Sequence, residues 1–238
     1  MSIKRGGETS SMKPQQPGYK VLKLERWVDS LIVNPSLLMG FNFYGFHNIR
    51  GKDIMKKNLF STKAIVATAI GAALFFVLGK YVAIPTGVPN TNFSLQYGVL
   101  SFFAALYGPI CGALVGFIGH WLIDLTAGWG VWWSWVIASG VTGLIVGFCY
   151  HKVNLDKGTF GRKEMIAFLI YNIIAYAISW IGVAPIGDIV IYSEDASYVF
   201  TQGLVSAGLD VLVGLVVGGL LCIAYTKTIA KPGSLDKE

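Results

Sequence analysis

Six apolar stretches, divided by short breaks rich in polar residues, proline or glycine, set the pattern of the chain after its first quarter. Their approximate limits are 62–83, 93–108, 109–127, 132–150, 165–185 and 199–225. Each lies near the ~20 residues that an α-helix needs to cross a bilayer, so the pattern predicts an all-α membrane protein with six transmembrane helices. The second and third stretches meet at Tyr107-Gly108-Pro109, which predicts a tight turn between two rather short helices. That pair is expected to tilt or to span incompletely. Composition agrees: 54% of the residues are hydrophobic, 13% are charged and the mean hydropathy is +0.58, far from a soluble domain.

Charge sets the orientation. The formal net charge of +6 does not mark a nucleic-acid binder, because residues 1–57 hold 10 Lys/Arg against 4 Asp/Glu while residues 58–238 hold 9 of each. Lys56, Lys57 and Lys63 precede the first stretch, Lys152, Lys157, Arg162 and Lys163 lie between the fourth and fifth, and Lys227 and Lys231 follow the sixth. The positive-inside rule places all of these, and both termini, on the cytoplasmic side of the cell membrane. The loops IPTGVPNTN, LTAGWG and GDIVIYSEDASY, poor in cations, then face outward. Residues 1–54 stand apart as an N-terminal extension, because VDSLIVNPSLLMGFNFYGF is broken by Asp29, Asn34 and Pro35 and makes a poor span. The extension is expected to be either a mis-assigned start or a poorly ordered cytoplasmic tail, with residues 55–238 forming the membrane domain. It carries no compact h-region of a secretory signal.

Polar residues inside the apolar stretches are the candidates for function, since a carboxylate at bilayer depth costs about 3 kcal/mol even on lenient insertion scales. His120 and Asp124, one helical turn apart in the third stretch, project from one face. They either line a polar cavity or form a structural pair. Asn90, Asn92, Gln96 and Tyr97 combine with Trp129, Trp132, Trp133 and Trp135 to offer amide hydrogen bonds and flat aromatic surface, a set suited to a planar heterocycle with polar edges. The alternative for the tryptophans is an interfacial aromatic belt. Asn172, Trp180, Asp188, Gln202 and Asp210 add polar or amphipathic positions in apolar surroundings, and together they point to an outward-open cavity between helices 3 to 6. No phosphate loop, HExxH or GxSxG is present, which argues against a motor ATPase or an intramembrane hydrolase. Cys111, Cys149 and Cys222 lack CxxC spacing and read as buried free thiols, with no metal site. Small residues recur at four-residue spacing, as Ala67/Gly71 and Ala69/Ala73 in helix 1, Gly112/Gly116 in helix 3, Gly143/Gly147 in helix 4 and Gly214/Gly218 in helix 6. Most of these predict close packing within the bundle, and helix 1 is the candidate for an external partner.

The blocks AIPTGVPNTN, YGPICGALVGFIGHWLID, WWSWVIASG, APIGDIVIY and FTQG, in this order between about Lys56 and Thr228, resemble the S components of energy-coupling factor (ECF) transporters, closest to their riboflavin-type branch. The resemblance implies a six-helix, vitamin-binding subunit without enzymatic activity or a covalently bound cofactor. It also implies a transmembrane coupling subunit and two cytoplasmic ATPases as partners, which alone would use ATP. The solute, riboflavin among the candidates, would be captured at the outer face by Asn90, Asn92, Gln96 and Tyr97, stacked on the helix 4 tryptophans and oriented by His120 and Asp124. The Ala-xxx-Ala strip of helix 1 is that family's usual docking surface, matched here by Ala69/Ala73 with Ala67/Gly71 as the alternative register. Two other classes stay open from the residues: an ion-coupled secondary carrier using His120/Asp124 as a proton relay, and a non-transporting membrane scaffold.

Overall fold

The computed structural model describes residues 61–229, and the expectations for residues 1–54, Lys56, Lys57 and Lys231 fall outside them. Helix α1 (Thr62–Tyr81) begins where the Ser61 hydroxyl accepts a hydrogen bond from Ala64 N at 3.1 Å, a side-chain N-cap. A hairpin follows, pairing Ile84–Pro85 (β1) antiparallel with Asn92–Phe93 (β2), a two-residue ladder that the all-helical expectation did not include. Helices α2 (Gln96–Tyr107) and α3 (Pro109–Ala127) meet at Gly108, whose φ of +90° suits the glycine there, and Pro109 then occupies the first turn of α3. Helix α4 (Trp133–Gly147) runs on through short helical turns to Lys157. Helices α5 (Arg162–Tyr192) and α6 (Ala196–Thr228) complete the bundle.

Five of these helical rods, all but α2, are long and apolar enough to cross a membrane. Helix α2 has 12 residues and so extends ~18 Å, short of a ~30 Å hydrocarbon core. The shortness expected of the second and third stretches therefore falls on α2 alone. The outer faces of α1 and α5 expose Ile65, Val66, Ile70, Leu74, Ile166, Ile170 and Ile173, a surface that lipid rather than water would cover.

Helix α5 runs beyond the expected end of the fifth stretch at residue 185, past Pro185. Proline has no N–H to donate and obstructs the carbonyl four residues back. A π turn at Ile178–Val183 shifts the ladder just before it, with Ala184 N bonded to Ser179 O, and the rod continues to a second π turn at Asp188–Tyr192. Most of the expected outward loop GDIVIYSEDASY is therefore helical. Only residues 193–195 connect α5 to α6, where the Asp195 carboxylate caps α6 by accepting from Ser197 Oγ and from Tyr198 N at 3.1 Å. These bonds, that from the Ser197 hydroxyl first, hold its carboxyl below the usual aspartate range. The cap is therefore complete above that range and is lost as pH falls through the lowered value.

Glycine strips explain the closeness of the packing. A Cβ at Gly143 would lie 2.0 Å from Gly112 O, one at Gly112 2.3 Å from Gly143 O, and one at Gly116 2.2 Å from Ser139 O, so α3 and α4 touch backbone to backbone. Gly203 of α6 similarly meets Trp180 O at the π turn of α5, and Gly218 meets Gly98 O of α2. A buried polar clamp joins α2 to α5: Ser101 Oγ donates to Asn172 Oδ1 at 2.6 Å and lies 3.0 Å from Tyr176 Oη, which donates to Tyr97 O. The three cysteines are buried free thiols.

Contacts gather the described cations, Lys80 excepted, at one end of the bundle. Lys63 at the start of α1 lies 6.0 Å from the Tyr107 ring, Gly108 lies beside Tyr150, and Gly158 lies beside Ile229 and Thr226. That end carries Lys63, Lys152, Lys157, Arg162, Lys163 and Lys227. The opposite end holds the hairpin, the α3–α4 turn, the α5–α6 link and Lys80, whose ammonium donates to Thr126 O.

Candidate functional site

The hairpin end contains a cavity of about 600 Å³, a size common for small-ligand sites. Its walls come from every helix, not only helices 3 to 6. Gly79 of α1 lies on one side, where a Cβ would fall 1.6 Å from Gln96 Oε1, so the missing side chain makes room for the Gln96 amide. Asn90, Thr91, Asn92 and Ser94 of the hairpin segment continue the wall to Gln96 and Tyr97 of α2. Asn90 adopts a left-handed backbone (φ 56°), which asparagine tolerates better than most residues. The hairpin is held in place by Gln202 Nε2, which donates to Pro89 O at 2.8 Å, and by Ser94 Oγ, which donates to Leu78 O at 3.3 Å.

His120 and Asp124 share one wall but not a hydrogen bond. His120 Nε2 and Asp124 Oδ1 are 3.7 Å apart, while His120 Nδ1 lies 2.6 Å from Ser139 Oγ and Asp124 Oδ2 accepts from Trp132 N at 2.8 Å. Ser139 in turn lies 3.0 Å from Tyr97 Oη, so one hydroxyl ties α2, α3 and α4 beneath the cavity. Asp124 ties the start of α4 to the end of α3, across the turn that carries Trp129.

Asp188 is the hub of the opposite wall. It is 1% exposed and accepts from Trp132 Nε1 and Trp135 Nε1, each at 2.7 Å, and from the Ser134 hydroxyl. Both indoles are thereby fixed in orientation. Trp132 stacks on Tyr192 with centroids 4.2 Å apart, and Trp135 stacks on Trp180 at 5.0 Å. Trp180 meets Tyr97 edge to face at 5.4 Å.

Of the candidates from the sequence, the cavity brings together Asn90, Asn92, Gln96, Tyr97, His120, Asp124, Trp129, Trp132, Trp135, Trp180, Asp188, Gln202 and Asp210. Trp133 and Asn172 do not line it. One residue on from Trp132, the helix turns by about 100°, and Trp133 faces Phe117 with 44% of its surface exposed, whereas Trp132 and Trp135 share a face. Asn172 is consumed by the α2–α5 clamp. The cavity also includes Tyr198 and Ser206, which with Gln202 and Asp210 form a polar stripe along α6 at four-residue spacing. That spacing, readable in the apolar run of α6, is the signal that finds them.

Of the two small-residue registers on α1, Ala67 and Gly71 are buried, and a Cβ on Gly71 would press on Val115 and Phe103. Ala67/Gly71 therefore cannot offer an external docking strip. Ala69 and Ala73 are exposed.

The family described as "ECF-type riboflavin transporter, S component" matches residues 59–227 of the chain. A UPF0397 protein of Lactococcus lactis subsp. cremoris strain NZ9000 is 49% identical over 184 residues, covering 77% of this chain and 100% of the relative. The UPF0397 protein YdcD of L. lactis subsp. lactis strain IL1403 is 48% identical, and UPF0397 protein SaurJH9_2709 of Staphylococcus aureus strain JH9 is 46% identical, each over the same shares of the two chains. No solved structure matches the chain. With its long apolar helices and this match over most of its length, the chain belongs to the ECF-type riboflavin transporter S component family and is a multi-pass protein of the cell membrane.

Proposed function

We propose that this chain captures a small, planar, vitamin-like solute at the outer face of the membrane and delivers it with a transmembrane coupling subunit and two ATPases. The observation that carries this reading is the cavity itself: about 600 Å³, walled by fixed indoles and amide side chains, at the end of the bundle opposite the cation cluster. With those cations on the cytoplasmic side, the cavity opens outward. Riboflavin is the solute of the family's name, and it enters as a candidate on that ground. His120 and Asp124 shape the pocket in this reading, since each is committed to a partner in another element.

Protein purified from cells, analysed for co-purified small molecules and titrated with riboflavin, cobalamin and thiamine precursors, tests the reading. Saturable binding of one of them, weakened by Asn92→Ala or Trp135→Ala, is the expected result. Uptake by this chain alone in proteoliposomes would favour an ion-coupled carrier instead, and absence of saturable binding would favour a scaffold.

Docking to the coupling subunit is assigned to Ala69 and Ala73, flanked by the exposed Val66, Ile70 and Val77. Ala69→Trp is expected to abolish co-purification with the coupling subunit while solute affinity changes less than about threefold, because Ala69 is exposed and does not line the cavity. Unchanged yield of the complex would rule out the strip.

A further inference from the structure

We infer that the cavity is built for a cationic, planar nitrogen compound whose positive charge is met by Asp210. The inference rests on the solute-capture reading above and narrows it to a class of molecule.

The charge inventory is one-sided. Asp124, Asp188, Glu194 and Asp210 line the cavity, and among the described residues no lysine or arginine does. Lys80, at the same end, donates to Thr126 O and does not line the cavity. An anionic solute such as a phosphate ester would meet four carboxylates and no compensating cation. A buried anion of that kind is strongly disfavoured, and the same four groups attract a cation.

The carboxylates differ in what they have left to offer. Asp124 is occupied by Trp132 N, and Asp188 by two indoles and a hydroxyl. Asp210 is 4% exposed and has Trp180 beside it, but Trp180 Nε1 falls outside hydrogen-bond geometry. A carboxylate taken out of water to that extent needs a charged or hydrogen-bonding partner, and the cavity is where one can arrive.

The Asp210 carboxylate is an acceptor in the cavity wall, so a solute that reaches it must bring donors or positive charge. Trp135, Trp180 and Tyr97, in mutual contact, line the same cavity. Aromatic surface attracts a cation and packs against a planar one, so the wall and Asp210 select for the same chemistry.

Isothermal titration of the purified full chain with thiamine (a cation), riboflavin (neutral) and riboflavin 5′-phosphate (an anion) tests the inference. The expected order is thiamine tightest and the phosphate weakest. Asp210→Asn should lower the ratio of thiamine to riboflavin affinity by about tenfold or more, as loss of a buried charge-assisted contact implies, and Asp210→Glu should retain most of it. Riboflavin binding more tightly than thiamine to the unaltered chain, or a ratio unmoved in Asp210→Asn, would overturn the cationic class while leaving solute capture standing. Saturable binding of none of the three, nor of cobalamin or thiamine precursors, would overturn both.

Discussion

Asp188→Ala is expected to produce the largest loss among single substitutions at the cavity. The carboxylate accepts from Trp132 Nε1, Trp135 Nε1 and Ser134 Oγ, and its removal leaves three donors without their acceptor at a site 1% exposed. Each stranded donor costs about 1–3 kcal/mol, and water entering from the cavity recovers part of it, so a net loss of about 3–5 kcal/mol is expected. The functional loss follows from geometry, because Trp132 and Trp135 lose the bonds that fix their ring planes. Thermal denaturation in detergent, followed by tryptophan emission, should show a lower midpoint and red-shifted indoles. Asp188→Asn should fall between alanine and the native residue, since one amide oxygen accepts while the amide N–H₂ confronts an indole N–H. A midpoint and emission unchanged in Asp188→Ala would refute the hub.

Gly143→Ala should be the most damaging change outside the cavity. The added Cβ would stand 2.0 Å from Gly112 O and 2.3 Å from Gly112 C, both backbone atoms of α3, so α3 and α4 must separate by more than 1 Å. Overpacking of this kind costs about 1–3 kcal/mol and more where backbone is the obstacle, against at most about 1 kcal/mol returned by the higher helix propensity of alanine. Separation would also pull His120 from Ser139 and Asp124 from Trp132, so solute binding should weaken along with stability. Gly208→Ala is the matched control: no atom lies within 4 Å of its Cβ position, and the change should be neutral or slightly stabilising. Equal melting of the two variants would show that the glycine strip is not what holds α3 to α4.

Several features of the fold are legible because they are local. The apolar runs are long enough to report helices, Gly108-Pro109 reports its own turn, and the glycine pairs of α3, α4 and α6 report close packing wherever they fall. The π turns of α5 are not legible. Whether Pro185 ends a helix depends on where the ladder can re-register and on whether Gly203 of α6 lets the neighbouring backbone fit against Trp180.

The candidate site was legible as a set of residue types and not as a set of roles. Asn172 and Asp188 look alike in sequence, each a polar residue in an apolar helix. Asn172 meets Ser101, 71 positions earlier, and vanishes into the core, whereas Asp188 meets the tryptophans 53 and 56 positions earlier and organises the cavity wall. Trp133 was grouped with its neighbours by composition and parted from them by helical phase.

By itself the sequence determined a helical membrane bundle, its family, the turn at Gly108 and the presence of a polar, aromatic-rich end away from the cations. Only the tertiary structure decided that Ala67/Gly71 face inward and Ala69/Ala73 outward, that Asp188 rather than the His120/Asp124 pair anchors the indoles, and that Tyr198 and Ser206 join the cavity. The reason is physical. Core and lipid are equally apolar, so hydropathy along α1 carries no record of which side each residue faces, and a buried polar group takes its meaning from partners that folding brings from distant helices.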